Sequence, residues 1–155
     1  MDALLAVDIG LKTGLALYGH DGRLHWYRSH NFGSAARLRR AVRRILATMP
    51  QVTYLVLEGG GPLADIWKSE AQRRGIPVRQ IAAEAWRRQF LYPREQRSGA
   101  HAKAHAKGLA RRVIAWSQAR RPTSLRDDAA EAILIGLWGA LDLGWLEHLP
   151  SELQR

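Results

Sequence analysis

The chain has 155 residues, with 24 Lys+Arg against 14 Asp+Glu and a formal charge of +10 at pH 7. That length fits one domain of ordinary size, and a hydrophobic fraction of 46% excludes a disordered polycation. The absence of cysteine excludes a disulfide framework, a thiolate metal site and a Cys nucleophile.

The excess positive charge therefore belongs on the surface of a folded domain. Such a surface attracts polyanions, nucleic acid first and anionic membrane or acidic protein next. No apolar run reaches the ~18 residues of a membrane span, so no membrane partner is expected. The N-terminal Met-Asp-Ala-Leu-Leu-Ala-Val-Asp has an early acid and no basic stretch, and it reads as a strand rather than a leader. A cytoplasmic location is expected.

Leu4 to Asp8 is a short apolar run closed by an acid, which suits a strand buried on both faces. Gly10, Lys12 and Thr13 turn the chain into a second run, Gly14 to Tyr18. The Asp21-Gly22 pair then turns it into a third, Leu24 to Phe32. Together they predict an antiparallel three-strand meander. Ser34 can cap a helix whose apolar face is Leu38, Val42, Ile45, Leu46 and Met49, with five arginines over the remainder and Pro50 ending it. Val52 to Leu57 is another apolar strand, closed by Glu58. A helix from Leu63 to Arg74 follows, stopped by Gly75. Ile76 to Ile81, interrupted by Pro77, reads as an edge strand. Glu84 to Phe90 reads as a short helix, Tyr92 to Gly99 as a basic loop, and Ala100 to Ala119 as a long helix. Ser124, with Asp127 three residues on, predicts the start of a last helix running to Leu143. This order predicts a mixed α/β sheet with parallel crossovers and flanking helices in a single domain.

The placement of the acids carries the chemistry. Asp8 and Glu58 each close an apolar strand, and ligands of open α/β sheets gather beyond the carboxyl ends of strands. If the strands are neighbours, the two carboxylates repel and raise each other's pKa unless a cation lies between them. The bland alternative is two unrelated strand-end acids. Asp128 and Glu131 stand three apart on the last predicted helix and share a face. The alanines around them allow the helix to approach a neighbour closely. Asp127 has a structural explanation as a helix-start acid, whereas Asp128 and Glu131 are expected beyond the reach of the helix dipole. Four carboxylates could hold two Mg²⁺ ions, with Mn²⁺ as a substitute. Such a metal pair activates water and stabilises the leaving oxygen in phosphodiester cleavage. Oxygen-only ligands favour these ions over zinc.

Asp8 in Leu-Leu-Ala-Val-Asp-Ile-Gly, Glu58 in Tyr-Leu-Val-Leu-Glu-Gly-Gly-Gly, and Asp-Asp-Ala-Ala-Glu-Ala from Asp127 to Ala132 together resemble the RuvC group of the RNase H-like superfamily, the Holliday-junction resolvases. The resemblance extends over residues 3 to 143 in the order of elements and acids. It implies an RNase H-like fold, a homodimer, and Mg²⁺-dependent endonuclease action on branched DNA. It also implies metal-binding and catalytic roles for Asp8, Glu58, Asp128 and Glu131. The last position is more often Asp in the family. The Gly99-Ala100-His101-Ala102-Lys103 stretch resembles the family's segment near the scissile phosphate and makes Lys103 its lysine. The aromatic wedge that some members carry shortly after the second acid is replaced by Gly59-Gly60-Gly61-Pro62, which leaves the wedge missing or supplied elsewhere, with Trp67 one candidate.

Lys103, Lys107 and Arg111 recur every four residues on one face of the predicted helix. With Arg94 and Arg97 in the preceding loop and Arg87 and Arg88 after the edge strand, they form the expected DNA contacts; the alternative is a solvated helix face. Gly108 within that helix hints at a close approach. His101 and His105 have zinc-like spacing but no evident third ligand. Trp86 is expected to pack, and Trp116, Trp138 and Trp145 to lie in the core or at a dimer interface. Two other readings stay open, an RNA-processing nuclease similar to the YqgF type and a non-catalytic nucleic-acid-binding protein; Asp8-Ile9-Gly10 followed by Thr13-Gly14 also resembles the first phosphate loop of the actin and sugar-kinase ATPases. That ATPase fold needs two such domains, more than 155 residues provide, and is set aside.

Overall fold

In the computed structural model, which describes residues 1–154, the strands are β1 (Ala3–Asp8), β2 (Lys12–Gly19), β3 (Leu24–Asn31), β4 (Val52–Glu58) and β5 (Val78–Ile81). The helices are α1 (Ala35–Thr48), α2 (Pro62–Arg73), α3 (Ala83–Phe90), α4 (Gly99–Ser117) and α5 (Asp127–Asp142), with single 3₁₀ turns at Pro93–Gln96 and Ser151–Leu153. The five strands form one sheet in the order β3-β2-β1-β4-β5. The β1–β2 and β2–β3 pairs are antiparallel, while β1–β4 and β4–β5 are parallel. Both the expected meander and the expected crossovers are present. The sheet edges are β3 and β5, and β5 begins only after Pro77, which cannot donate to a ladder.

Strand alternation sorts the core into two layers. Leu4, Ala6 and Val56 face α5 and the side of the sheet covered by α3, α4 and α5. Ala3, Leu5, Val7, Leu55 and Leu57 face α1 and α2, joined there by Leu38, Val42, Leu46 and Trp67. Ser34 caps α1, its hydroxyl accepting from the Arg37 amide at 3.2 Å.

Helix α5 lies against the middle of the sheet because small residues let it. A β-carbon on Gly136 would stand 2.1 Å from the Tyr18 ring, and one on Gly139 would stand 2.9 Å from Leu4 and Val56 methyls. The Tyr18 hydroxyl, fully buried, donates to the Ile133 carbonyl of the same helix. At the other end of the contact, a β-carbon on Gly14 of β2 would fall 1.9 Å from the Asp128 carbonyl oxygen. No helix among the described residues is long and apolar enough to cross a membrane.

Several local expectations shift. Helix α5 begins at Asp127, with Arg126 at the cap and no side-chain cap bond, rather than at Ser124. Asp128 therefore lies in the first turn and gains from the helix dipole after all. Gly108 meets nothing within reach of a β-carbon, so it marks no close approach. Trp67 is fully buried in the α1–α2 layer and is unavailable as a wedge. Trp116, Trp138 and Trp145 are partly buried and pack on the other layer.

Candidate metal centre

Asp8 and Glu58 are direct partners in the parallel β1–β4 register. By alternation they point to the same side as Leu4, Ala6 and Val56, the side covered by α5. Glu131 lies one turn into α5 and reaches toward them. Each of the three offers a carboxylate oxygen, and these oxygens all lie within 4.8 Å of one another. The backbone fixes the two strand ends. The Ile9 amide donates to the Glu58 carbonyl at 3.0 Å, and the Gly59 amide donates to the Ile81 carbonyl at 3.2 Å. Gly59 has φ of 118°, and a β-carbon there would sit 3.0 Å from that of Ile9, so this position needs glycine on two counts. The buried Thr13 hydroxyl donates to the Gly10 carbonyl at 2.7 Å and closes the β1–β2 turn beside Asp8.

A residue whose site role was not anticipated holds Glu58. The indole Nε1 of Trp86, almost wholly buried, donates to Glu58 Oε1 at 3.2 Å. A buried indole N–H usually finds an acceptor, and that tendency was the available signal; its partner is set by the fold.

The three acids are half-buried together, and their electrostatics follow from that. Burial, then the charge of Glu131 and its hydrogen bond, then Glu58, push the Asp8 carboxyl from 3.8 up to about 9. Burial and the charge of Glu58 also raise Glu131, while its bond to Asp8 and the charges of Arg87 and Lys103 pull the other way. None of the ion pairs among the described residues reaches Asp8, Glu58 or Glu131. The cluster therefore favours the protonated carboxyl, and a hard cation in its place would relieve the same repulsion. Three oxygen donors with no nitrogen or sulfur fit Mg²⁺ or Mn²⁺.

Asp128 is not drawn into this triad. Ser29 on β3 donates to its Oδ1 at 2.5 Å, and the Ala129 amide donates to the same oxygen at 2.8 Å. It nevertheless lines the same open cleft of about 640 Å³, together with Asp8, Glu131, Lys12, Lys103 and Lys107. Asp127, on the rim, pairs with Lys107 at 2.9 Å and Lys103 at 3.8 Å. Two of the anticipated DNA-contacting lysines thus stand at the mouth of the acid cleft, and Lys12 joins them.

The remaining basic residues are dispersed. Arg87 stacks over Trp86 at 5.3 Å, its Nε is buried without a partner, and its charge is felt at Glu131. Arg94 stacks on Tyr92 at 4.7 Å. Arg88 lines a separate cleft with Tyr92 and Pro93. Arg97 caps the 3₁₀ turn, Arg111 is exposed on α4, and neither lines the acid cleft. The two histidines of α4 have local partners: His101 Nδ1 lies 2.9 Å from the Ser98 hydroxyl, and His105 Nδ1 lies 3.0 Å from Glu95.

No protein-family model matches the chain, and no curated protein matches its sequence. Solved structures do. RuvC of T. thermophilus, determined in complex with a Holliday junction substrate, superposes with a TM-score of 0.64 at 14% identity, over 93% of this chain and 96% of that one. The fold is RNase H-like. Ydc2, the yeast mitochondrial Holliday junction resolvase, superposes with a TM-score of 0.60 at 12% identity, over 94% of this chain and 80% of its own. The expected fold and the structural likeness to resolvases therefore stand, at a sequence identity that carries the fold alone.

Proposed function

We propose that this chain is a metal-dependent endonuclease that hydrolyses phosphodiester bonds in branched DNA, four-way junctions foremost, and acts as a homodimer. The observation that carries the proposal is the convergence of Asp8, Glu58 and Glu131 from β1, β4 and α5, none of them in an ion pair among the described residues. These three would hold the metal. Asp128 would complete the set through its Oδ2, since both of its hydrogen bonds use Oδ1. Bound Mg²⁺ or Mn²⁺ supplies an activated water and stabilisation of the leaving oxygen.

The chain's own residues do the rest. Trp86 and Asp8 orient Glu58 and Glu131, respectively, before substrate arrives. Lys12, Lys103 and Lys107 place positive charge on the walls of the acid cleft, where a phosphate must sit. Lys103 and Lys107 exchange Asp127 for that phosphate. Arg111 continues their stripe along α4, and Arg87, Arg88, Arg94 and Arg97 extend the contact to flanking backbone. A twofold dimer presents two such clefts to the two strands of a twofold junction. The two resolvases of like fold favour this substrate over RNA.

The test is cleavage of a labelled four-way junction, a linear duplex and a structured RNA by wild type and Asp8→Asn in Mg²⁺. The junction is expected to be cut, and Asp8→Asn to bind it while cutting roughly a thousand-fold more slowly. Wild-type rates for Asp8→Asn would overturn the metal assignment. Preferential cutting of RNA would make the chain an RNA-processing nuclease, and binding with no cutting of any substrate would make it a non-catalytic binder.

A further inference from the structure

The face of the sheet opposite the metal centre carries a second feature that the nuclease reading does not use. Edge strand β3 alternates across the sheet, so Ser29 faces Asp128 while Trp26, Arg28 and His30 face the α1 side. With Phe32, and with Arg44 and Ile45 of α1, these side chains line a groove of about 520 Å³. Trp26 and Phe32 are only half-buried, and Arg28, His30 and Arg44 are exposed. Arg28 lies over the Trp26 ring at 4.6 Å, and the His30 and Phe32 rings meet at a 40° tilt with centroids 4.4 Å apart. No carboxylate lines the groove, and no acid occurs in the sequence between Asp21 and Glu58.

Planar rings set along a strand, with guanidinium groups between and opposite them and no acid to compete, make a surface for bases and phosphates together. We infer that the β3–α1 groove binds an unpaired strand of nucleic acid, its bases stacking on Trp26 and Phe32 and its phosphates meeting Arg28 and Arg44. Stacking of this kind accepts every base and needs the bases unpaired, so a duplex is a poor occupant. A closed, purely apolar groove would favour a peptide; here the charge complements a polyanion. Edge strand β3 links the two places: its Ser29 bonds Asp128 of the acid cleft on one face, while Trp26, Arg28 and His30 line the groove on the other, so a strand leaving the cleft could pass round the sheet edge into the groove. Binding there does not depend on the metal centre.

The experiment is fluorescence anisotropy of a labelled oligothymidylate of roughly 12 nucleotides and of a blunt duplex of equal length, in EDTA so that nothing is cut. It uses the full chain as wild type, Trp26→Ala, Trp26→Phe and the exposed Arg44→Glu, with sedimentation of each. Trp26→Ala and Arg44→Glu are expected to weaken single-strand binding by about ten-fold or more, Trp26→Phe to retain most of it, and duplex binding to change far less. Unchanged single-strand affinity in Arg44→Glu would overturn the inference. So would conversion of a wild-type dimer to monomer by Arg44→Glu, which would make a second copy of the chain the occupant. Either failure leaves junction cleavage by the acid cleft as a separate question.

Discussion

Asp8 is pressed, half-buried, against Glu58 and Glu131, and among the described residues no ion pair reaches it. Its stability consequence has a definite sign. The unfolded chain loses this proton near 3.8, whereas the folded chain keeps it to about 9. The folded state therefore binds more protons between those values, and stability falls as pH rises through that window. In EDTA, Asp8→Asn is expected to melt higher than wild type at pH 8 to 9 and to lose the advantage near pH 4. Melting by circular dichroism across that range checks it, and a wild type that loses no stability relative to Asp8→Asn over the window would contradict the raised carboxyl. At this scale the sequence was partly legible. An acid closing an apolar run is conspicuous, so Asp8 and Glu58 could be picked out directly. The Trp86 bond to Glu58 and the Ser29 bond to Asp128 could not, because they join residues 28 and 99 positions apart. The longer side chain of Glu131 brings one of its oxygens within 4.8 Å of those of Asp8 and Glu58.

Helix α5 is the element on which the site depends, because it carries Glu131 to two strands that are already paired. Its approach is limited by Gly14, Gly136 and Gly139 rather than by its acids. Gly14→Ala would drive a methyl into the Asp128 carbonyl, a backbone atom that cannot step aside alone. The expected cost is about 1–3 kcal/mol of stability, with weaker Mn²⁺ binding as α5 lifts from β1; urea unfolding and metal titration read the two effects. A variant as stable as wild type would show that the contact is looser than drawn. The periodicity of the apolar residues predicted every strand and helix, with shifts of one to three residues at their ends. The start of α5 was misplaced because Ser124 and Asp127 have the spacing of a capping box, yet Arg126 takes the cap position with its backbone alone.

Across the whole molecule the +10 charge separates into surfaces of different use. The acids that matter are gathered at one end of the sheet, where three lysines ring them. Arginines occupy the outer faces, including the α1 side, where Arg28 and Arg44 border the groove along β3. Net charge pointed toward a polyanion partner; the division between acid centre and basic surround is what points toward cutting one. That division depends on the triad holding a divalent metal. Crystals of the wild-type protein soaked in Mn²⁺ and measured at the manganese absorption edge test this most directly. An anomalous peak is expected within bonding distance of Asp8, Glu58 and Glu131, and none in the same soak of Asp8→Asn. Wild-type crystals with the three carboxylates splayed apart and no anomalous signal between them would contradict it.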